Sequence, residues 1–301
     1  MMKKLFTTIL ILVLALSLVA CGGNKENADK AINEAAKTSN ETASKNADAE
    51  GKENTDNQNT LEAIKARGKI VLGTSADFPP LEWVSYKSGS EEYKGLDIEI
   101  AKAIADSLGV ELEVKNMAFE GLITSLKAGD VDMVIAGMEA NDKRKKEVDF
   151  SAPYYAGGQS IVVRAEDKDK FKTLDDLKGH KIGTQLDTVQ QAFAEEKFGD
   201  DVQGYDLNNV LIEQLKNKTV DVLFLSELPA KEFVYLNEGL AFIEDIGAPK
   251  EEGFSVAIKK GNTTLLEEVT KIVSELKDSG KVDTWLDENI ELSHQEVEKG
   301  K

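Results

Sequence analysis

The stretch Gly95-Leu96-Asp97-Ile98-Glu99-Ile100-Ala101-Lys102-Ala103-Ile104-Ala105 carries the clearest helical pattern of the chain. Its apolar residues recur at helical spacing as far as Leu108, so residues 96–108 are predicted to form a helix with one apolar face. A short apolar run at 69–74 and a segment of alternating polar and apolar residues at 111–115 flank this helix, and both patterns are typical of strands. The three segments together predict a β-α-β unit, in which a helix packs against a sheet.

The same alternation of helical and strand patterns continues towards the C-terminus. Turn residues such as Gly129-Asp130 and Gly179 separate the segments. We therefore expect an α/β protein whose parallel sheets carry helices on both faces. The further predicted helices are 119–128, 174–177, 189–197, 210–216, 229–236 and 265–276, and the further predicted strands are 131–136, 160–164, 181–184, 220–225 and 254–258.

Two glycine-containing segments indicate that the chain crosses between two sheets. Tyr155-Ala156-Gly157-Gly158 and Glu251-Glu252-Gly253 each come shortly before an apolar strand. Two crossings mean that one lobe is inserted into the other. The predicted boundaries are 61–155 for the first part of lobe one, 156–250 for lobe two, and 251–301 for the return of lobe one with the C-terminal helices.

Charge and composition exclude several classes of protein. The 301 residues include 37 basic and 55 acidic side chains, a formal net charge of −18, so phosphate backbones would repel the chain and no nucleic-acid partner is expected. Cys21 is the single cysteine, which excludes an intrachain disulfide and a multi-cysteine metal centre. Because there are only two histidines, His180 and His294, a multi-histidine metal site is also excluded. We expect neither a metal nor a cofactor.

The N-terminus has the pattern of an export signal. Lys3 and Lys4 precede an apolar run at 5–20, which is shorter than the roughly 20 residues of a spanning helix. The run ends in Leu18-Val19-Ala20-Cys21-Gly22, which resembles the lipobox of bacterial lipoproteins, where the cysteine receives a diacylglyceryl group. Residues 1–20 are therefore predicted to be a lipoprotein signal peptide and Cys21 to be lipidated. The alternative is an ordinary signal peptide with an incidental cysteine.

The segment that follows has the composition of a tether. Residues 22–60 contain no aromatic residue and are rich in Asn, Lys, Glu, Ala, Thr, Ser and Asp. Such a composition cannot bury enough apolar surface to offset the entropy of ordering. Residues 21–60 are thus predicted to be a lipidated cysteine with a disordered tether, with a weak helix at 28–37 as the alternative.

Further motifs follow the opening pattern in a fixed order. They are Thr74-Ser75-Ala76-Asp77-Phe78-Pro79-Pro80, Phe119-Glu120-Gly121-Leu122-Ile123, Val131-Asp132-Met133-Val134-Ile135-Ala136-Gly137-Met138 and Arg144-Lys145-Lys146-Glu147-Val148-Asp149-Phe150-Ser151. Together with 95–105 they resemble the family 3 extracellular solute-binding proteins, the amino-acid receptors of ABC importers. The resemblance covers residues 61 to about 286. It implies a periplasmic-binding-protein-like fold of type II, with two lobes joined by two hinge strands and a ligand site between them.

The resemblance also implies which residues bind an α-amino acid. Arg144 matches the group that binds the ligand carboxylate, to which a guanidinium offers two parallel N–H donors. Phe78 and Phe119 match the aromatic walls of the site, and Gly137 matches the point where the backbone approaches the ligand. Thr188, at the start of a predicted helix, matches a donor from the second lobe. Without the resemblance, the arginine would be predicted to face solvent and the phenylalanines to lie in the core.

Some positions depart from the family pattern. Ser226, followed by Glu227, stands where the family usually carries an aspartate for the ligand ammonium, and Glu139 replaces a usual serine or threonine. Because a buried ammonium needs a counter-charge, we expect Glu139 to bind it, with Glu227 as second choice. The alternative is that both glutamates face solvent and that carbonyls and Ser226 hold the ammonium. Val189, at a position that is often threonine, offers only its backbone N–H.

No motif for catalysis accompanies these residues, because the sequence lacks GxSxG, P-loop, GxGxxG and HExxH patterns. We expect a monomeric lipid-anchored receptor on the extracytoplasmic face of the cell membrane. It would capture a free, polar amino acid and pass it to a permease that an ATP-binding subunit powers. The alternatives are a sensor or adhesin with the same cleft, and a dehydratase-like enzyme that uses carboxylates such as Glu139 and Asp187.

Overall fold

The computed structural model of the protein describes residues 59–86, 89–250 and 252–298. The predicted signal peptide at 1–20, the lipidation site Cys21 and all but the last two residues of the predicted tether lie outside the described residues. Within the described ranges, no helix is both long enough and apolar enough to cross a membrane.

Strands and helices alternate along the described chain, and the predicted strand 69–74 and helix 96–108 are confirmed with the same bounds. The strands are β1 Lys69–Thr74, β2 Asp77–Phe78, β3 Glu82–Ser85, β4 Glu92–Lys94, β5 Glu111–Asn116, β6 Met133–Val134, β7 Val148–Phe150, β8 Gln159–Arg164, β9 Ile182–Gln185, β10 Val202–Tyr205, β11 Val222–Ser226, β12 Leu240–Ile243 and β13 Ala257–Lys259. The α-helices are α1 Leu61–Arg67, α2 Leu96–Leu108, α3 Leu122–Ala128, α4 Asp142–Lys145, α5 Val189–Phe198, α6 Asn208–Lys216, α7 Glu227–Leu236, α8 Thr263–Asp278 and α9 Lys281–Glu298. Short 3₁₀ helices occur at Phe119–Gly121, Ala165–Lys170, Leu174–Leu177 and Gly199–Asp201.

The first five-stranded sheet combines strands from both ends of the described chain, in the order β5-β1-β6-β13-β7. Strand β1 pairs in parallel with β5 and β6. Strand β13, which lies more than 100 residues further along the chain, pairs antiparallel with β6 and β7. Leu72 of β1, Ile104 of α2 and Val269 of α8 belong to one buried apolar cluster against this sheet.

The second five-stranded sheet uses only strands from the middle of the chain, in the order β10-β9-β11-β8-β12. Strand β9 pairs in parallel with β10 and β11. Strand β8 pairs antiparallel with β11 and β12. The fold is therefore the expected two-lobed α/β architecture of type II, with one lobe inserted in the other. The residue boundaries given above for the lobes stay a prediction.

The expectation of parallel sheets was wrong for the strands that follow the two crossings. Strands β8 and β13 each run antiparallel to both of their neighbours. Each of them is entered directly from the other lobe. Two parallel strands of one sheet are joined by a long crossover connection, usually a helix. Strands β8 and β13 instead start from a crossing segment, and each runs opposite to the strands beside it.

The two crossing segments pair with each other and form the hinge. The backbone N–H of Tyr154 donates to the carbonyl of Phe254 at 2.9 Å, and the N–H of Phe254 donates to the carbonyl of Tyr155 at 2.7 Å. The ring of Tyr155 stacks on that of Phe254, with centroids 5.7 Å apart. The strand predicted at 254–258 is consequently shifted to Ala257–Lys259, because Phe254 makes isolated bridges in the hinge.

Helix α2 begins at a glycine that no other residue could replace. Gly95 has a φ of +124°, and a Cβ atom built on it would lie 2.0 Å from the carbonyl oxygen of Leu81. The N–H of Asp97, in the first turn of α2, donates to the same carbonyl at 2.9 Å. This contact joins α2 to a small antiparallel sheet, β2-β3-β4, which the sequence did not predict.

Candidate ligand-binding site

A small cavity of about 20 Å³ is lined by residues of both lobes. The first lobe contributes Phe78, Phe119, Ala136, Gly137, Glu139 and Arg144, and the second contributes Gln185, Thr188, Val189, Gln190 and Ser226. The structure therefore brings all the predicted ligand-binding residues around one cavity. Their roles in binding a ligand stay predictions.

Arg144 places a buried guanidinium in this cavity, with 3% of the residue exposed. Helix α4 holds it there, because the side chain of the N-cap residue Asn141 accepts a hydrogen bond from the Arg144 N–H at 2.8 Å. The Nη1 atom donates to the carbonyl of Glu139 and the Nη2 atom to the carbonyl of Asp187, each at 2.8 Å. The guanidinium carbon lies 5.2 Å from the ring centroid of Phe119. The guanidinium is thus hydrogen bonded to both lobes.

The guanidinium of Arg144 retains its charge in this setting. Burial lowers its pKa, whereas the carboxylates of Asp187 and Glu139 raise it. An arginine titrates so far above neutral pH that such opposing effects leave it protonated. The two carbonyl bonds use two of its five N–H donors. The planar group therefore retains the donor geometry that suits a carboxylate.

Gly137 forms a tight turn on the first-lobe side of the cavity. Its φ is +54°, and a Cβ atom there would lie 3.0 Å from Cδ1 of Leu81 and 3.2 Å from Cε1 of Phe78. Both the left-handed backbone and the close neighbours favour glycine. The N–H of Gly137 donates to Oδ2 of Asp97 at 2.8 Å, which holds the turn from behind.

The N-terminus of α5 forms the second-lobe side. The Oγ1 atom of Thr188 accepts from the N–H of Gln191 at 3.1 Å and donates to the carbonyl of Gln185 at 2.7 Å. This hydroxyl is therefore engaged with its own lobe. The first N–H groups of a helix have no partner within the helix and together favour an anion, so the backbone at Val189 is the donor that this end offers. Asp187, just before the helix, has a φ of +57°.

Gln185 and Gln190 line the cavity and were missed by the sequence analysis. The Nε2 atom of Gln190 donates to Oε1 of Gln159 at 2.9 Å and to Oγ of Ser226 at 3.0 Å. Ser226 is thereby held at the end of β11 with 4% of the residue exposed. The sequence feature that could have identified Gln190 is its position in the first turn of the helix that begins after Thr188.

Glu139 is the buried carboxylate of the cavity wall, with 5% of the residue exposed. Its Oε2 atom accepts from the N–H of Glu252 at 2.9 Å. Burial raises the pKa of Glu139, whereas the Glu252 N–H, the charge of Arg144 and a hydrogen bond with the Gln159 side chain lower it. Glu139 therefore places a buried carboxyl group in the wall of the cavity.

Comparison with known proteins identifies the family. Residues 70–290 match the bacterial extracellular solute-binding proteins, family 3. The chain belongs to this family. Its relatives are substrate-binding proteins of amino-acid ABC transporters.

Individual relatives cover most of the chain. The arginine-binding extracellular protein ArtP of Bacillus subtilis (strain 168) is 33% identical over 219 residues, which are 71% of this chain and 83% of ArtP. The ABC transporter glutamine-binding protein GlnH of the same organism is 30% identical over 298 residues, 96% of this chain and 99% of GlnH. The crystal structure of AbpA from Streptococcus pneumoniae Canada MDR_19A, an amino acid ABC transporter substrate-binding protein bound to L-arginine, has a TM-score of 0.75 and 35% identity, covering 77% of this chain and 98% of AbpA.

In this family 3 binding protein, the second glutamate considered above lies outside the cavity lining. Glu227, the first residue of α7, pairs with Lys231 one turn later. Its side chain is 25% exposed. Of the two glutamates, Glu139 is therefore the one whose carboxylate faces the cavity.

A second, larger cavity of about 190 Å³ adjoins the first, with Glu139 and Val189 in both linings. Its other lining residues are Asn141, Gln159, Phe193, Phe224, Pro249, Lys250 and Glu252. The lining combines apolar rings with amide and charged groups. In the described part of the chain, no group of three or more His, Cys, Asp or Glu side chains is arranged to hold a metal ion.

Proposed function

We propose that this protein captures a free amino acid outside the cell and delivers it to the permease of an ABC importer. The observation that carries the proposal is the buried guanidinium of Arg144, which is hydrogen bonded to both lobes and lines the cavity between them. A carboxylate matches the parallel N–H donors of such a group. Membership of family 3 supports the same conclusion.

The cavity offers a partner for each charged end of an amino acid. The α-carboxylate binds to Arg144 and to the backbone N–H groups at the start of α5, and the ammonium binds to the carboxylate of Glu139. Phe78 and Phe119 enclose the α-carbon. Gly137 approaches the ligand with its backbone and Ser226 with its hydroxyl, while Thr188 caps the helix whose first N–H groups bind the carboxylate. Because the partners come from both lobes, the ligand stabilises the closed conformation.

The ligand side chain extends into the second cavity. Amide and charged groups there, from Asn141, Gln159 and Glu252, suit a polar side chain better than an aliphatic one. L-arginine and L-glutamine are the first ligands to test. ArtP is named as an arginine-binding protein, AbpA was crystallised with L-arginine, and GlnH is named as a glutamine-binding protein.

The mature chain acts as a monomeric lipoprotein on the extracytoplasmic face of the cell membrane. A diacylglyceryl group and a further fatty acyl chain, palmitate, on Cys21 would anchor it, because two or more chains bind a membrane far more firmly than one. Its partners are the permease and, through it, the ATP-binding subunit. Transport energy comes from that subunit, so this chain needs neither a cofactor nor catalytic residues, and it consumes no ligand.

A thermal-shift screen of the purified protein against the twenty amino acids and ornithine tests this function. Ligand that binds only the folded state adds about 2.7 kcal/mol of stability at 100 times Kd, so one or a few amino acids should raise the melting temperature. The bound amino acid should be recovered chemically intact, which separates a receptor from an enzyme. If no amino acid raises the melting temperature, or if the ligand is consumed, the proposal is wrong.

A further inference from the structure

Two fully buried carboxyl groups lie behind the Gly137 turn. Glu82 in β3 and Asp97 in the first turn of α2 are both 0% exposed. Their backbones are close, because the N–H of Asp97 donates to the carbonyl of Leu81, the residue before Glu82. Neither residue lines the ligand cavity, and the proposed binding contacts use neither of them.

Asp97 links the cavity to the hinge through one oxygen. Its Oδ2 atom accepts from the N–H of Gly137 at 2.8 Å and from the hydroxyl of Tyr154 at 2.9 Å. Gly137 forms the cavity wall, and Tyr154 lies in the crossing segment that pairs with Phe254. The position of this carboxylate therefore sets the position of the turn.

The other three carboxyl oxygens of the pair have no conventional partner. Oδ1 of Asp97 and both Oε atoms of Glu82 are buried and accept no hydrogen bond from the described residues. No cation of the described residues pairs with either group. Two buried carboxylate anions side by side with no cation beside them would be strongly unfavourable. One proton between them removes the repulsion and supplies the missing donor.

The titration behaviour of the groups agrees with this geometry. Burial raises the pKa of Glu82 well above its usual value, and the charges of Asp97 and Asp77 raise it further. Burial also raises the pKa of Asp97 to about 7, although hydrogen bonds from Gly137, Tyr154 and Glu82 lower it. The remaining titratable neighbour, the Tyr154 phenol, has a pKa raised well above its usual value and stays neutral.

We propose that Glu82 and Asp97 share one proton, with Glu82 as the donor, and that the resulting hydrogen-bonded anion positions the Gly137 turn of the ligand site. Glu82 and Asp97 are thus positioning residues. The part of the proposal that concerns ligand affinity rests on the proposed function, whereas the shared proton does not.

The shared proton makes stability depend on pH in a defined direction. An unfolded chain releases carboxyl protons at about pH 4. In the folded protein the shared proton stays bound until the pH reaches the raised pKa of the carboxyl pair. Between about pH 4 and that raised pKa, the free energy of unfolding therefore falls as the pH rises. Above that pKa, the two anions repel, the Gly137 turn shifts and ligand binds more weakly.

The variant Glu82→Gln tests the proposal, because its amide donates to Asp97 at every pH. Chemical unfolding without ligand, from pH 5 to pH 9, should show that the unfolding equilibrium constant of the wild type rises relative to that of Glu82→Gln by about tenfold per pH unit, from about pH 5 up to the raised pKa of Glu82. Glu111→Gln, at an exposed position, serves as the matched control and should follow the wild type. Parallel profiles for the wild type and Glu82→Gln would overturn the shared proton.

Ligand affinity over the same pH range tests the positioning role. With the amino acid found by the screen, the wild type should lose affinity at alkaline pH while Glu82→Gln retains it. If Glu82→Gln does not fold, Asp97→Asn replaces it, since its amide oxygen accepts from Gly137 and its amide N–H donates to Glu82. If the unfolding profiles of the wild type and Glu82→Gln differ but their affinity profiles are equal, the shared proton is supported and the positioning role is refuted. A screen without any ligand would refute the proposed function while leaving the unfolding test intact.

Discussion

The carboxylate of Asp77 accepts two hydrogen bonds from Asn208, one from its backbone N–H at 2.6 Å and one from its side-chain amide at 3.1 Å. Asp77 lies in β2 of the first lobe, and Asn208 is the first residue of α6 in the second lobe. The contact therefore joins the lobes at a place outside the ligand cavity. A carboxylate at a helix N-terminus is also favoured by the helix dipole.

Replacing Asp77 should weaken ligand binding without any change to the cavity. Asp77→Ala removes a charged interlobe hydrogen bond, so the closed state should lose about 1 to 3 kcal/mol relative to the open state. Calorimetry with the identified amino acid should show that loss in affinity. Asn209→Ala, at the exposed neighbouring position, is the control and should bind like the wild type. Equal affinities for Asp77→Ala and the wild type would mean that this contact does not stabilise closure.

Arg144→Lys should abolish most of the binding although it preserves the charge. A lysine ammonium lacks the parallel donors that match a carboxylate, and the carbonyls of Glu139 and Asp187 would lose at least one partner. We expect a loss of about 1.5 to 3 kcal/mol in binding free energy. Lys143→Ala is the control, because the Lys143 side chain is 72% exposed and its ion pair with Asp187 contributes little. A lysine variant that binds as tightly as the wild type would exclude bidentate recognition.

Glu139→Gln should reduce affinity much more than Glu227→Gln. The first substitution removes the negative charge that faces the cavity, at an expected cost of about 2 to 5 kcal/mol. The second acts on a glutamate that pairs with Lys231 and lies outside the cavity lining. Calorimetry on the three proteins measures the difference. Near-equal affinity of the wild type and Glu139→Gln would show that the ammonium is bound elsewhere.

The sequence predicted the parts of the fold that have a strong local period. Helix α2 repeats apolar residues over several turns, and its predicted bounds match the structure. Strands of two to four residues, such as β2, β3 and β4, are too short to show a period of two. The direction of β8 and β13 depends on the crossing between lobes, which no local pattern encodes.

The candidate site was predicted from motifs that follow one another in a fixed order. The lining residues that were missed, Gln185 and Gln190, belong to none of these motifs. The eight predicted residues line one cavity, and most of them lie at the end of a strand or at the start of a helix. Gln190 lines the cavity through a side chain whose partners, Gln159 and Ser226, lie on other elements. The buried pair of Glu82 and Asp97 was missed for the same reason, since burial of a carboxyl group is a property of tertiary packing.

Cys21→Ala should release the protein from the membrane. The prediction rests on the position of this cysteine directly after Leu18-Val19-Ala20. Without lipid chains, the protein should move from the detergent-soluble membrane fraction to the medium or the periplasm. Fractionation and immunoblotting of cells that express either form provide the measurement. A variant that stays in the membrane fraction would refute lipid anchoring at this position.

Closure of the two lobes on an amino acid is the central claim, and small-angle scattering tests it most directly. Scattering should be recorded for the purified protein alone and with a saturating amount of the amino acid that the screen identifies, with binding verified by calorimetry in the same buffer. Because Arg144 and the start of α5 contact the ligand from different lobes, we predict a smaller radius of gyration in the bound state. Identical scattering profiles in the two states, with binding verified, would contradict the account.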